Sequence, residues 1–151
     1  MTIRTKHATG YKDDLATWAT EQADALRGRR WDDVDIEHVA EEIEDLAKSD
    51  RRALRSHYSG LLAHLMKWKF ASAEERERTG RGWLQSIANH RAEIDFILDD
   101  SPSLRALFED PQWFAKIVEH AIAKSSLDSS RTGRWQFHYR DILKQGWLPP
   151  D

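Results

Sequence analysis

The sequence contains no cysteine among its 151 residues. Disulfide bonds, thiolate metal sites and a cysteine nucleophile are therefore excluded. A chain of this length can bury a sizeable core without such cross-links. We therefore expect one domain over residues 1–151.

Long apolar runs are also absent. No stretch approaches the roughly 20 apolar residues that a bilayer crossing needs, and residues 1–10 have no apolar segment of a secretory signal. We therefore expect a cytoplasmic protein that makes no membrane contact. The formal net charge of -3 argues against nucleic acid as a partner, because broad phosphate-binding surfaces are normally positive.

Proline is confined to the C-terminal third, so the first hundred residues contain no obligatory helix breaker. Apolar spacing predicts one helix over about residues 12–27 and a second from about residue 36 to residue 70, with Asp35 as N-cap. The polar run at residues 48–52 leaves open a break into two helices. The apolar residues of the second helix share one arc, which is typical of a face turned to a core: Ile36, Val39, Ile43, Leu46, Leu54, Tyr58, Leu61, Leu65 and Trp68.

The rest of the chain predicts shorter helices. Residues 71–82 resemble a charged connection, with a third helix beginning near Thr79 or Gly80 and running antiparallel to the second. Short helices are expected at about residues 101–108, from Pro111 behind an Asp110 cap, and at about residues 138–144. No strand alternation occurs. The predicted fold class is all-α: a helical bundle with a long second helix, an antiparallel third helix and shorter C-terminal helices.

Several short motifs follow one another in a specific order. They are Tyr11 and Asp14 before Trp18, Glu41-Glu42-Ile43-Glu44, His64-Leu65-Met66-Lys67-Trp68, Trp83 with Ile87 and Arg91, Ser101-Pro102-Ser103-Leu104, and Gly146-Trp147-Leu148-Pro149. In this order they resemble the bacterial family called domain of unknown function twenty-nine, over nearly the whole chain. That family tends to have a Cys-Pro-Tyr-like step where this chain reads Phe137-His138-Tyr139, so any role of that cysteine is absent here. The resemblance implies a helical domain in the bacterial cytosol and supplies no activity and no catalytic residues.

Four polar residues on the predicted helices are candidate metal ligands. Asp50, His57 and His64 lie at seven-residue spacing on one stripe of the second helix, and His90 lies on the apolar face of the third. Seven residues rise about 10.5 Å along a helix, so His57 and His64 cannot both bind one ion without distortion. A site needs ligands from both helices.

The metal hypothesis places a divalent ion on His64 and His90, with Glu42 or Asp50 as carboxylate partner, in a hydrolytic enzyme. It is the only cofactor that the sequence suggests. The alternative is that the histidines are neutral core residues bonded to carboxylates or carbonyl groups. The His-Glu-x-x-His signature of metal-binding helices is missing.

Two segments read Arg-Thr-Gly-Arg, at residues 78–81 and 131–134. Arginine beside glycine offers donors to an anion, and the N-terminus of a following helix adds partial positive charge. Arg78, Arg81, Arg131 and Arg134 are therefore candidate anion-binding residues. Basic and aromatic residues also interleave at residues 131–140, as in single-strand nucleic-acid binders. The alternative is that the aromatic rings anchor this segment while the arginines face water.

Large aromatic residues dominate both cores and interfaces, and this chain has seven tryptophans. Because no catalytic signature occurs, the architecture favours a helical protein-interaction domain. Its partner is expected to be another protein or a second copy of the chain, docked on an aromatic-lined face. A divalent-metal enzyme and an anion or nucleic-acid binder are the alternatives.

Overall fold

A computed structural model describes residues 9–132 and 135–151 of the chain. All regular secondary structure in these residues is helical: α1 Leu15–Arg27, α2 Ile36–Phe70, α3 Ala73–Asp100, α4 Pro111–Ser125, α5 Ser129–Thr132 and α6 Tyr139–Leu143, with 3-10 turns at Trp31–Asp33 and Pro102–Glu109. The predicted all-α fold, with its long second helix and shorter C-terminal helices, is confirmed. In the part of the chain described, no helix combines the length and apolarity needed to span a lipid bilayer.

The first helix begins three residues later than its apolar pattern predicts. The Asp14 carboxylate accepts a hydrogen bond from the backbone N–H of Thr17 at 3.0 Å. This N-cap satisfies one of the donors that a helix start leaves open, so α1 begins at Leu15. Gly28 caps its C-terminal end.

The second helix is continuous over 35 residues, so the alternative of a break at residues 48–52 is wrong. The polar run lies on the surface of the helix. There Lys48 lies 3.7 Å from the Glu44 carboxylate and 3.1 Å from that of Asp45. No proline interrupts the run, and these ion pairs are compatible with an unbroken helix.

The third helix begins at Ala73, so the predicted start near Thr79 or Gly80 is wrong. Ser72 and Glu75 form a capping box, in which each side chain accepts a hydrogen bond from the other residue's backbone N–H. Gly80 lies within the helix, where an added Cβ would lie 3.0 Å from Cζ3 of Trp68. The charged segment is therefore helix, and only a short turn separates α2 from α3.

The chain forms two compact units, one ending at Lys48 and the other comprising Ser49–Asp151. The prediction of a single domain stays a prediction. In the described part of the first unit, the buried residues are Trp18, Gln22 and Ala25. The Gln22 amide accepts a hydrogen bond from the backbone N–H of Asp35 at 2.6 Å, which ties α1 to the start of α2.

The second unit contains the main hydrophobic core. In it α2 and α3 run antiparallel, as predicted, because His57 contacts His90 at one end of the pair and Trp68 lies against Gly80 at the other. Helices α4 and α6 complete this core. Its fully buried side chains are Leu54, Tyr58, Leu61, Leu62, Leu65, Met66, Ile94, Leu98, Ile117 and Ile142.

A buried arginine fixes the C-terminal segment to this core. Arg91 of α3 is 3 % exposed, and its guanidinium donates to the carbonyl oxygens of Ile142 at 2.9 Å and Trp147 at 2.7 Å. These bonds compensate for burying the charge, and burial lowers the pKa of Arg91.

Candidate functional site

An open apolar groove lies between α1 and the first part of α2. It encloses about 590 Å³ and is lined by Leu15, Ala16, Trp18, Ala19, Gln22, Ala23, Leu26, Val39, Glu42, Ile43 and Leu46. Leu46 is 71 % exposed and Ile43 is 63 % exposed. Contiguous exposed apolar surface of this kind marks a binding site more often than a scatter of single residues does.

The groove follows from the apolar periodicity of both helices. In α1 the lining residues Leu15, Ala19 and Leu26 share one face, and in α2 Val39, Ile43 and Leu46 do. Two such stripes side by side cover each other only at the bottom, where Trp18 is 4 % exposed. The upper parts of both stripes remain open to solvent.

A network of polar and aromatic contacts includes Glu42, one of the residues that line the groove. The Tyr11 ring stacks on His38 with ring centroids 4.2 Å apart, and its hydroxyl donates to the Glu42 carboxylate at 2.6 Å. His38 in turn lies 2.7 Å from the carboxylate of Asp35. The hydrogen bond to Glu42 raises the pKa of Tyr11 to about 12, and the bond from His38 lowers the pKa of Asp35.

The unit that contains the groove is acidic. The first unit, residues 1–48, carries twelve Asp and Glu against seven Lys and Arg, a formal charge of −5. Residues 49–151 carry sixteen basic and fourteen acidic residues, a formal charge of +2. The small net charge of the whole chain therefore conceals an acidic first unit, which creates a negative potential around an apolar groove.

A cluster of three histidines lies in the second unit. The Nδ1 atoms of His57 and His90 are 3.2 Å apart. The ring of His64 is stacked on that of His90, with centroids 5.8 Å apart and planes at 30°. The structure thus brings together three of the four residues that the sequence suggested as metal ligands.

The position of His90 depends on Gly60. An added Cβ at residue 60 would lie 2.5 Å from His90 Nε2, so the imidazole lies directly against the α2 backbone. Gly60 falls between His57 and His64 in the sequence. Because residue 60 has no side chain, a ring from α3 can enter between the two histidines of α2.

Burial affects the ionisation of two of these rings, His90 and His64. It lowers the pKa of His90 to about 4, and nearby positive charge on His57, His64 and Lys124 acts in the same direction. Burial also lowers the pKa of His64, whose Nδ1 atom is buried without a hydrogen-bond partner. Lys124 donates to the Ser59 hydroxyl at 2.9 Å.

The carboxylates suggested as partners of these histidines are bonded to other groups. Asp50 accepts a hydrogen bond from the Ser101 hydroxyl at 2.6 Å, and Glu42 accepts one from Tyr11. Over residues 9–132 and 135–151, no group of three or more His, Asp or Glu side chains is arranged to hold a metal ion. The metal role of Asp50, His57, His64 and His90 stays a prediction.

The first Arg-Thr-Gly-Arg segment is not a loop before a helix. Arg78 and Arg81 are exposed residues within α3, so the helix N-terminus expected to follow them lies before them instead. Of the second segment, residues 133–134 and the side chain of Arg131 lie outside the described residues. Anion binding by Arg78, Arg81, Arg131 and Arg134 stays a prediction.

The sequence interpretation missed Arg76 as a structural residue. Its guanidinium lies 5.5 Å from the Trp68 ring centroid and donates to the Trp68 carbonyl oxygen at 2.9 Å. It also pairs with Asp151 at 2.8 Å. The capping box at Ser72 was the available signal, because it places Arg76 in the first turns of α3, beside the end of α2.

Comparison with protein families gives one match. The model of the family described as Domain of unknown function DUF29 matches residues 11–148. Neither the curated proteins nor the solved structures contain a match to the chain.

Proposed function

The chain belongs to the family Domain of unknown function DUF29, which assigns it no activity, and we propose that it is a helical protein-interaction domain. The apolar groove between α1 and α2 is the observation that supports this function. The proposed occupant is an amphipathic helix of a partner protein, with lysine or arginine beside its apolar stripe.

The shape of the groove suits a helix. Two neighbouring helices with parallel apolar stripes present the surface on which a third helix packs, with contacts at every third or fourth residue. Buried residues in the described part of the first unit number only three. A docked helix would cover exposed Leu15, Leu26, Ile43 and Leu46 and so enlarge a very small core.

Charge favours a basic partner over a second copy of the chain. A symmetric dimer through the groove would bring together two first units that each carry a formal charge of −5. A helix with lysines flanking its apolar stripe is instead attracted to the groove and oriented by it. No observation of comparable strength supports the hydrolytic alternative, since its suggested carboxylates, Asp50 and Glu42, accept hydrogen bonds from Ser101 and Tyr11.

Two synthetic peptides test the occupant. Both are fluorescently labelled amphipathic helices with the same leucine stripe, one flanked by lysine and the other by glutamate. We expect the chain to bind the lysine peptide at least about tenfold more tightly, as measured by fluorescence anisotropy, and binding to weaken as salt is raised. Equal binding of both peptides, or of neither, would contradict the proposal.

A matched pair of isoleucines tests the location. Ile43 lines the groove, whereas Ile36 is on the same helix, is 69 % exposed and does not line it. Ile43→Ser should weaken lysine-peptide binding by about fivefold to tenfold, the loss expected for one partly buried aliphatic contact. Ile36→Ser should leave it unchanged, and equal losses would place the site elsewhere. If sedimentation shows a dimer that Ile43→Ser disrupts and Ile36→Ser does not, the occupant of the groove is a second copy of the chain and not a basic helix.

A further inference from the structure

The histidine cluster plays no part in the proposed docking and has features of a binding site. His57, His64 and His90 are each partly exposed, so solutes can reach them. They come from two different helices and include the close pair His57 and His90.

The separation of this pair matches the spacing of two ligands on one metal ion. Bonds of about 2.0–2.1 Å from a tetrahedral ion to two imidazole nitrogens hold those nitrogens about 3.3 Å apart. The Nδ1 atoms of His57 and His90 are 3.2 Å apart. We propose that His57 and His90 form a two-nitrogen site for a first-row transition-metal ion such as Zn²⁺, Ni²⁺ or Cu²⁺, with water completing its coordination.

Packing already fixes one of the two ligands, His90. The His90 ring is confined between the α2 backbone at Gly60 and the stacked ring of His64. The orientation of His90 is therefore set before any ion binds, which lowers the entropic cost of binding. The buried Nδ1 atom of His64 lacks a protein partner, and buried polar atoms in this condition commonly bond to water or lie beside an ion.

The donor atoms select the class of ion. Imidazole nitrogen suits Zn²⁺, Ni²⁺ and Cu²⁺, whereas Mg²⁺ and Ca²⁺ require oxygen ligands. Asp50 is bonded to Ser101, and the described residues contain no set of three His, Asp or Glu ligands. Several coordination positions of the ion would thus be left for water. Lys124 opposes binding, because its positive charge acts on His90.

Metal titration of the full chain, prepared without an affinity tag, tests the site. We expect one bound ion per chain by calorimetry, with affinity rising from Co²⁺ through Ni²⁺ to Cu²⁺, and no binding of Mg²⁺. His57→Ala and His90→Ala should each weaken Ni²⁺ binding at least about tenfold. The control is His120→Ala, because His120 is an exposed histidine of α4 and should have no effect.

Lys124→Met distinguishes metal binding by the histidine pair from a purely structural role of that pair. Removing the neighbouring positive charge should tighten Ni²⁺ binding by several-fold, since like charges repel. In the unmodified chain, substoichiometric Ni²⁺ should broaden the NMR ring resonances of His57 and His90 before those of His120. This measurement needs no variant, so it tests the site even if a variant fails to fold. Absence of stoichiometric binding, or equal losses in the His57 and His120 variants, would overturn the site and leave the pair as an imidazole–imidazole hydrogen bond.

Discussion

His90 of α3 lies so close to Gly60 of α2 that an added Cβ at residue 60 would be 2.5 Å from the His90 Nε2 atom. Helix α2 continues through this glycine, so the residue does not end the helix. Its role is to leave space for an imidazole from the neighbouring helix. A second helical glycine, Gly82 of α3, has no such neighbour within 4 Å.

These two glycines give opposite predictions. Gly60→Ala should lower the free energy of unfolding by about 1–3 kcal/mol, because the His90 ring must move out of its position. Gly82→Ala should raise it by about 0.5–1 kcal/mol, because alanine loses less backbone entropy in a helix. Urea unfolding followed by circular dichroism measures both. Equal stability of the two variants would show that His90 is not confined by Gly60.

Arg91 should be essential for holding the C-terminal segment. Arg91→Met leaves the carbonyl oxygens of Ile142 and Trp147 without their buried donor, so we expect a loss of about 2–4 kcal/mol in the free energy of unfolding. Arg91→Lys should recover only part of it, because an ammonium group cannot reproduce the two-pronged geometry of guanidinium. Limited proteolysis should cut both variants faster near residues 143–147, and an unchanged cleavage rate would refute this role.

The start of α3 can be tested with two hydroxyl residues. Ser72→Ala removes half of the capping box and should cost about 1 kcal/mol in the free energy of unfolding. Thr79 lies in the second turn, where its hydroxyl donates to the Glu75 carbonyl oxygen. Thr79→Ala should therefore change stability by less than about 0.5 kcal/mol. A larger loss from Thr79→Ala than from Ser72→Ala would support the start predicted from sequence.

Tyr11 should retain its proton at unusually high pH. The bond to Glu42 raises the pKa of Tyr11 from its ordinary value of 10 to about 12, so the folded chain keeps a proton that the unfolded chain loses. The contribution of this group to stability is thus complete below pH 10 and is lost as the pH rises through about 12. The difference in tyrosinate absorbance between the unmodified chain and Tyr11→Phe reports the midpoint. Glu42→Gln should move it toward 10, and a midpoint unaffected by this change would exclude Glu42 as the cause.

Sequence reasoning succeeded where one local signal acted alone. It predicted Asp110 as the N-cap of the helix that begins at Pro111, and the Asp110 carboxylate accepts hydrogen bonds from the backbone N–H groups of Gln112 and Trp113. It failed at α3, where the charged run and Gly80 suggested a connection. The capping box at Ser72 and the packing of Trp68 on Gly80 outweigh the poor helix propensity of glycine.

The candidate sites show the same limit. Periodicity correctly placed Ile43 and Leu46 on the apolar arc of α2, but they are 63 % and 71 % exposed. A pattern identifies which face is apolar and does not identify what covers that face. The positions of His57, His64 and His90 on their helix faces predicted a site shared by α2 and α3. The 3.2 Å separation of the Nδ1 atoms of His57 and His90, however, depends on how α3 packs against α2.

The sequence by itself determined the helical class, the approximate bounds of α2 and the family, because helical periodicity, proline positions and motif order are local or linear properties of the chain. Packing alone decided which apolar stripes are covered, where His90 lies and which carbonyl groups Arg91 binds. Those outcomes depend on contacts between residues distant in sequence, such as residues 60 and 90 or residues 91 and 147. Their free energies arise only when the helices meet at a particular distance and register.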